Sequence, residues 1–324
     1  MKKIIILLLS SFVFLISQKA VAQRDSIHVG FVMANLYSER WQRDMTFFKE
    51  RLNQLGAKVT FVDCFDNEEQ QIKAAQKLIN MQVACLVVIP VNSRNTEIVS
   101  IAKSASIPIV SYDRFILDPN LDLCVTYNSI SVGKLMAESV NAKLPKGNIL
   151  YVGGPTSDYN SSLVRKGVFS VLNNFQQNYT ISAIRTHDWN EMDAFLTVQK
   201  FVEKHGYIPD AIISASDVLT KGILLFLEAE ADGKKVLLTG QDGSTEICKE
   251  ILNDRVLMTV YKPNKELAYK TAESVIKLLN KQTLLMNNDA NNMFLDVPTV
   301  MMEPSVLTKE NVVEVIGQAI ISNN

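Results

Sequence analysis

Short β-branched runs alternating with longer amphipathic stretches constrain this chain more than any other feature. Strand candidates fall at 27–32, 58–62, 85–89, 108–111 and 123–127, with helical stretches between them at 39–55, 68–80 and 96–103. In the first helical stretch Phe47, Phe48, Leu52 and Leu55 recur at helical spacing and predict a buried stripe. Apolar strands separated by helices require a parallel sheet covered on both faces.

The rhythm then restarts. Strands are expected at 148–152, 180–184, 211–214, 235–239 and 257–260, with helices near 161–175, 192–204, 218–230 and 245–252. A helix near 265–281, an Asn-rich loop at 287–292, a strand near 295–301 and a short helix after Thr308 complete the reading. The expected fold class is therefore α/β, with two Rossmann-like parallel-sheet lobes of about 100–130 residues each.

Ligands of open parallel sheets sit beyond the carboxyl ends of the strands, so the residues just after each strand matter most. Here they are polar: Glu39-Arg40-Trp41, Pro90-Val91-Asn92, Asp113-Arg114 and Asn128-Ser129 in the first half. The second half adds Asp158-Tyr159-Asn160, Asp188-Trp189, Ser216-Asp217, Gln241-Asp242 and Lys262-Pro263. Carboxylates accept paired hydrogen bonds, guanidinium donates a planar fork, and a carboxamide does both. That set suits a polyhydroxylated ligand, whose buried hydroxyls each need partners. The apolar face of a sugar ring needs a flat neighbour, which Trp41 and Trp189 could supply.

Each position also has a plainer reading. Asp113-Arg114 could be a surface ion pair, Ser38 and Ser216 helix N-caps, and Trp189 a core residue. Gly153-Gly154-Pro155 reads as a tight turn, lacking the spacing of a dinucleotide fingerprint. Only the recurrence of such groups at so many strand ends favours binding.

Composition narrows the function. With 33 basic and 34 acidic residues the formal net charge is −1, against a nucleic-acid partner. Lys2 and Lys3, an apolar run to Ile16 and the small-x-small site Ala20-Val21-Ala22 predict a signal peptide over 1–22 and export. The apolar run is too short for a membrane anchor, which needs about 20 residues. Cys64, Cys85, Cys124 and Cys248 are widely spaced and expected as buried free thiols. With neither CxxC nor HExxH, and with three His lacking a triad pattern, no metal, cofactor or catalytic residue is expected.

At these residues the chain resembles the type I periplasmic sugar-binding family and, within it, the xylose-binding group. The matching stretches are Glu39-Arg40-Trp41-Gln42, Val88-Ile89-Pro90, Tyr112-Asp113-Arg114, Gly240-Gln241-Asp242 and 258–263. The resemblance implies a non-enzymatic, monomeric receptor in the periplasm. It would bind a monosaccharide, a pentose foremost, for an ABC permease or, alternatively, a membrane sensor kinase or chemoreceptor. It implies sugar contacts from Arg40, Asp113, Arg114, Asn160, Asp217, Asp242 and Lys262, with Trp189 stacking and Trp41, Asn128 and Gln241 nearby. It also implies discontinuous lobes, 25–127 plus 263–292 and 128–262 plus 293–324, joined by a hinge of three segments near Asn128, Lys262 and Met293. Three places depart from the family pattern: Asn128-Ser129 replaces Asp-Asn, Ser216-Asp217 replaces Asn-Asp, and Tyr159 replaces Asn. The shorter side chains would leave room for a larger or differently oriented sugar.

Glycosidase chemistry by a pair such as Asp113 and Asp217 is disfavoured. Neighbouring Arg and Lys would keep both carboxylates ionised and leave no acid.

Overall fold

The structure, a computed structural model, describes residues 27–284, 286 and 297–317. The expected leader and the Asn-rich loop lie outside these residues.

The first sheet is built from β1 (His28–Met33), β2 (Lys58–Asp63), β3 (Cys85–Val88), β4 (Ile109–Tyr112), β5 (Leu123–Tyr127) and β11 (Thr299–Met302). Its order is β11-β5-β4-β3-β1-β2, and every pairing is parallel. Helices α1 (Glu39–Gln54), α2 (Glu68–Asn80) and α3 (Glu97–Ser104) connect its strands. Strands β3, β4 and β5 are buried at every position, as a sheet covered on both faces requires.

The second sheet holds β6 (Gly147–Gly153), β7 (Tyr179–Arg185), β8 (Ala211–Ser214), β9 (Leu237–Asp242), β10 (Met258–Tyr261) and β12 (Ser305–Leu307). Its order, β12-β10-β9-β8-β6-β7, repeats the first, except that β12 runs antiparallel to β10. Helices α4 (Ser129–Asn141), α5 (Tyr159–Leu172), α6 (Glu191–His205), α7 (Asp217–Glu230) and α8 (Thr245–Leu252) accompany it. Helix α9 (Asn264–Leu279) returns to the first lobe, where Leu267, Ala268, Ala272 and Val275 join the core around Phe31 and Phe48. A short α10 (Val312–Ile316) follows β12.

Three features differ from the sequence reading. First, α4 was not anticipated. Its sequence mixes Ser, Val and Gly, and it forms because Gly133 and Gly167 let α4 and α5 meet backbone to backbone. A methyl on either glycine would overlap a carbonyl of the facing helix, at Val164 or Ile130.

Second, 293–324 does not belong wholly to the second lobe. Residues Thr299–Met302 extend the first sheet beside β5, with Thr299 opposite Cys124. The chain changes sheets between β11 and β12, at Glu303-Pro304, rather than near Met293. An apolar strand fits the open edge of either sheet, so its own pattern could not choose between them.

Third, the buried stripe of α1 is Trp41, Asp44, Phe48 and Leu52. Phe47 is only partly buried and Leu55 is exposed at the helix end. A carboxylate thus sits in line with the apolar residues. The four cysteines are all buried and free.

Candidate ligand cleft

The carboxyl ends of the two sheets face one another, and the polar residues after the strands meet there. Arg40, in the first turn of α1, is the centre of the arrangement. Its Nη2 donates to Asp113 Oδ1 at 2.6 Å and its Nη1 to Asp242 Oδ1 at 3.0 Å. Lys262, just after β10, reaches the same Asp242 oxygen at 2.9 Å. Arg114 crosses to the second lobe, its Nε lying 3.1 Å from Asp158 Oδ2.

Backbone geometry aims these carboxylates. Asp113 follows β4 with φ of 61° and Asp242 ends β9 with φ of 112°, both on the positive side that L residues seldom occupy. Such strain concentrates at ligand sites, where surrounding bonds over-determine it. At Asp113 the amide donates to the Val125 carbonyl at 2.9 Å, and its own carbonyl accepts from Thr126 Oγ1 and Asn160 Nδ2. Burial alone would push the Asp113 carboxyl up, but Arg40, Lys262 and Arg114 outweigh it and hold the group below its ordinary range.

Asp217, at the start of α7, is placed differently. Its two oxygens are taken by the Ser244 amide at 2.6 Å and the Thr259 hydroxyl at 2.7 Å. Burial, then the charge of Asp242, pushes it up to about 7. Asp217 braces the strand ends behind Asp242. Asn128 likewise serves the chain crossing: its Oδ1 caps α4 and its Nδ2 donates to Glu303 Oε1 at 2.9 Å.

The two indoles take different roles. Trp41 is 4 % exposed, with the guanidinium of Arg40 4.7 Å and that of Arg114 5.7 Å from its ring centroid. It is a platform for the two arginines that line the cleft. Trp189 is half-buried and lies so close over Gly154 that no larger residue fits beneath it.

Trp189 Nε1, Asn160 Oδ1 and Gln241 Oε1 are buried without a hydrogen-bond partner. One donor and two acceptors are thus left open, on residues of the second lobe.

Several contacts close the lobes without using the polar cluster. The Ser93 amide donates to the Ser157 carbonyl at 2.8 Å, and the Tyr159 amide donates back to Ser93 Oγ at 3.0 Å. Arg94 Nη1 donates to the Thr156 carbonyl at 2.9 Å. Behind them Phe115 meets Tyr159 edge to face at 6.1 Å between centroids.

Sequence reasoning named Asp158 among the polar strand-end residues without giving it a role, and missed Ser93 and Asp44. Asp158 caps α5 through the Asn160 amide and pairs with Arg114, a role invisible before the lobes are brought together. Asp44 could have been found, because it stands four residues after Arg40 on the same helix face.

Two lobes of repeated topology, a polar cleft between them and a hinge of several crossings define a binding receptor that closes on a small solute. The model of the periplasmic binding protein domain matches residues 29–283. The chain belongs to the periplasmic binding protein family, with the type I architecture, and its members are substrate-binding proteins rather than enzymes. It is 30% identical over 299 residues to the D-xylose-binding periplasmic protein of Haemophilus influenzae, covering 91% of this chain and 90% of that one. The D-xylose-binding periplasmic protein of Escherichia coli is also 30% identical, over 94% of each chain. Among solved structures, an ABC transporter solute binding protein of Clostridium phytofermentans with bound β-D-glucose superposes with a TM-score of 0.83. It is 20% identical, over 89% of this chain and 96% of that one.

Proposed function

We propose that this protein is the solute receptor of an ABC-type sugar importer, and that its cleft closes on an aldopentose such as D-xylose. The observation that carries the reading is the set of open buried groups, Asn160 Oδ1, Gln241 Oε1 and Trp189 Nε1, beside a fully paired ionic cluster. Leaving such groups unpaired in a dry cleft costs about 1–3 kcal/mol each. A sugar hydroxyl both donates and accepts, so one ligand satisfies indole and carboxamides together.

The charges favour a neutral ligand. Arg40, Arg114 and Lys262 are already matched by Asp113, Asp158 and Asp242. A sugar phosphate or uronate would add a negative charge beside three carboxylates and gain no free cation. Similarity to the two D-xylose-binding proteins over nearly the whole chain supports a pentose.

Calorimetry against D-xylose, L-arabinose, D-ribose, D-glucose and D-galactose tests the proposal. One sugar per chain is expected, with the pentose arm strongest. Absence of heat with every sugar overturns it, and preference for a hexose overturns the pentose assignment alone.

A further inference from the structure

Asp44 is not explained by the ligand contacts described above. It occupies a core position of α1 between Trp41 and Phe48 and is fully buried. A leucine there would avoid the several kcal/mol that a buried charge costs. Three elements converge on the carboxylate. From its own helix, Arg40 Nε lies 4.0 Å from Oδ2. From α9, the Asn264 Nδ2 donates to Oδ1 at 2.8 Å. From the end of β4, Tyr112 adjoins it and Asp113 acts on it by charge.

The placement of Asn264 matters. It is the first residue of α9, immediately after the Lys262-Pro263 crossing between the lobes. The Pro263 carbonyl is held in turn by the Tyr127 hydroxyl at 3.0 Å, at the end of β5. Asp44 therefore touches both the hinge and the guanidinium that spans the cleft. Its Oδ2, on the Arg40 side, has no hydrogen-bond partner and is sealed from solvent.

We propose that Asp44 is a positioning residue that couples the hinge to Arg40, so that the charge of its carboxylate sets how well the closed cleft holds its ligand. When ionised, it draws Arg40 Nε toward α1 and leaves Nη1 and Nη2 directed at Asp242 and Asp113. When protonated, it releases Nε, and the fork loses its third point of support. Burial outweighs the pull of Arg40, Asn264 and Tyr112 and, with the charge of Asp113 added, leaves this carboxyl raised to about 7. The change of charge thus falls near neutral pH. Affinity should rise with pH through that region.

This inference rests on the sugar-receptor reading for its affinity arm, but it has a ligand-free arm as well. Trp41 lies under Arg40, and the chain has only two tryptophans. In a Trp189→Phe background the fluorescence of Trp41 therefore reports the two arginines over its ring, of which Arg40 is the nearer. The expected result is a fluorescence titration with its midpoint near neutral pH that disappears in Asp44→Asn. In Asn264→Ala, which removes a bond that stabilises the ionised form, the midpoint should move to higher pH. A purely structural role for Asp44 would not move a midpoint in this way.

In the affinity arm, with Trp189 intact, D-xylose dissociation constants are measured between pH 5.5 and 8.5. Binding should tighten several-fold with rising pH, and Asp44→Asn should flatten the trend to what Asp217 contributes through Asp242 and weaken binding about 10-fold at pH 8, as for loss of one hydrogen bond to a charged group. An unchanged fluorescence titration in Asp44→Asn overturns the coupling, as does an unchanged pH trend in binding. Should the parent protein bind no sugar, the receptor reading fails while the fluorescence titration still decides the coupling. If Asp44→Asn does not fold, the midpoint of Asn264→Ala decides the matter: an unshifted midpoint refutes the proposal.

Discussion

Arg40 and Asp242 stand 202 positions apart in the chain and meet across the cleft at 3.0 Å. The same guanidinium holds Asp113 of its own lobe, so one side chain ties a first-lobe carboxylate to a second-lobe one. Replacing Arg40 by Ala leaves Asp113 buried beside a weakened partner set. Sugar affinity should fall at least about 30-fold, since stranding a buried paired charge costs about 2–5 kcal/mol. Arg40→Lys should recover only part of this, because an ammonium cannot span both carboxylates as a planar fork does. Calorimetry on the two variants checks the order.

Gly154 supports Trp189 by having no side chain. A methyl at Gly154 would overlap the indole, so Gly154→Ala must displace the ring. Overpacking of this kind costs about 1–3 kcal/mol. We expect a lowered melting temperature, altered tryptophan emission and weaker sugar binding, whereas Gly206→Ala, in open space, should leave binding unchanged. Wild-type affinity in Gly154→Ala would remove Trp189 from the site.

Asp217 makes stability depend on pH. Its folded value of about 7 lies above its ordinary 3.8, because burial disfavours the charge. The folded state therefore keeps a proton that the unfolded state has lost. The stability this contributes is complete below about 3.8 and is lost as pH rises through about 7. Melting temperature should decline between pH 5 and 8, and Asp217→Asn should flatten that decline. Asp44 acts in the same direction and accounts for slope that remains. An unaltered slope in Asp217→Asn counts against the buried placement.

The clasp from Ser93 and Phe115 to 156–159 is independent of any ligand. Tyr159→Ala removes the edge-to-face pair formed only when the lobes approach, worth about 0.5–1.5 kcal/mol. Small-angle scattering of the sugar-free protein should show a larger radius of gyration for the variant. Sugar affinity should weaken by about 2–13-fold, the equivalent of that energy. An unchanged radius together with unchanged affinity would show that the clasp does not bias closure.

The gathering of Arg40, Asp113 and Arg114 at the strand ends of the first lobe is legible in the sequence. Arg40, Asp113 and Arg114 follow strands in a repeated α/β pattern, and such positions converge wherever parallel strands end together. Asp217 and Asn128 were read by the same rule, yet the structure gives their polar atoms to Ser244, Thr259, Ser131 and Glu303. Position after a strand places a side chain near the cleft mouth. It does not say whether a neighbouring amide will claim it first.

Local periodicity determined most of the element order, the parallel strands of both lobes and the rim where polar residues gather, because these depend on neighbours a few positions apart. Tertiary structure alone decided that Thr299–Met302 completes the first sheet, that Arg114 reaches over Trp41 and that Asp158 answers Arg114. Each of these joins segments far apart in the chain. A pairing of that kind is selected by the packing of whole lobes, for which a short window of sequence carries no energy term.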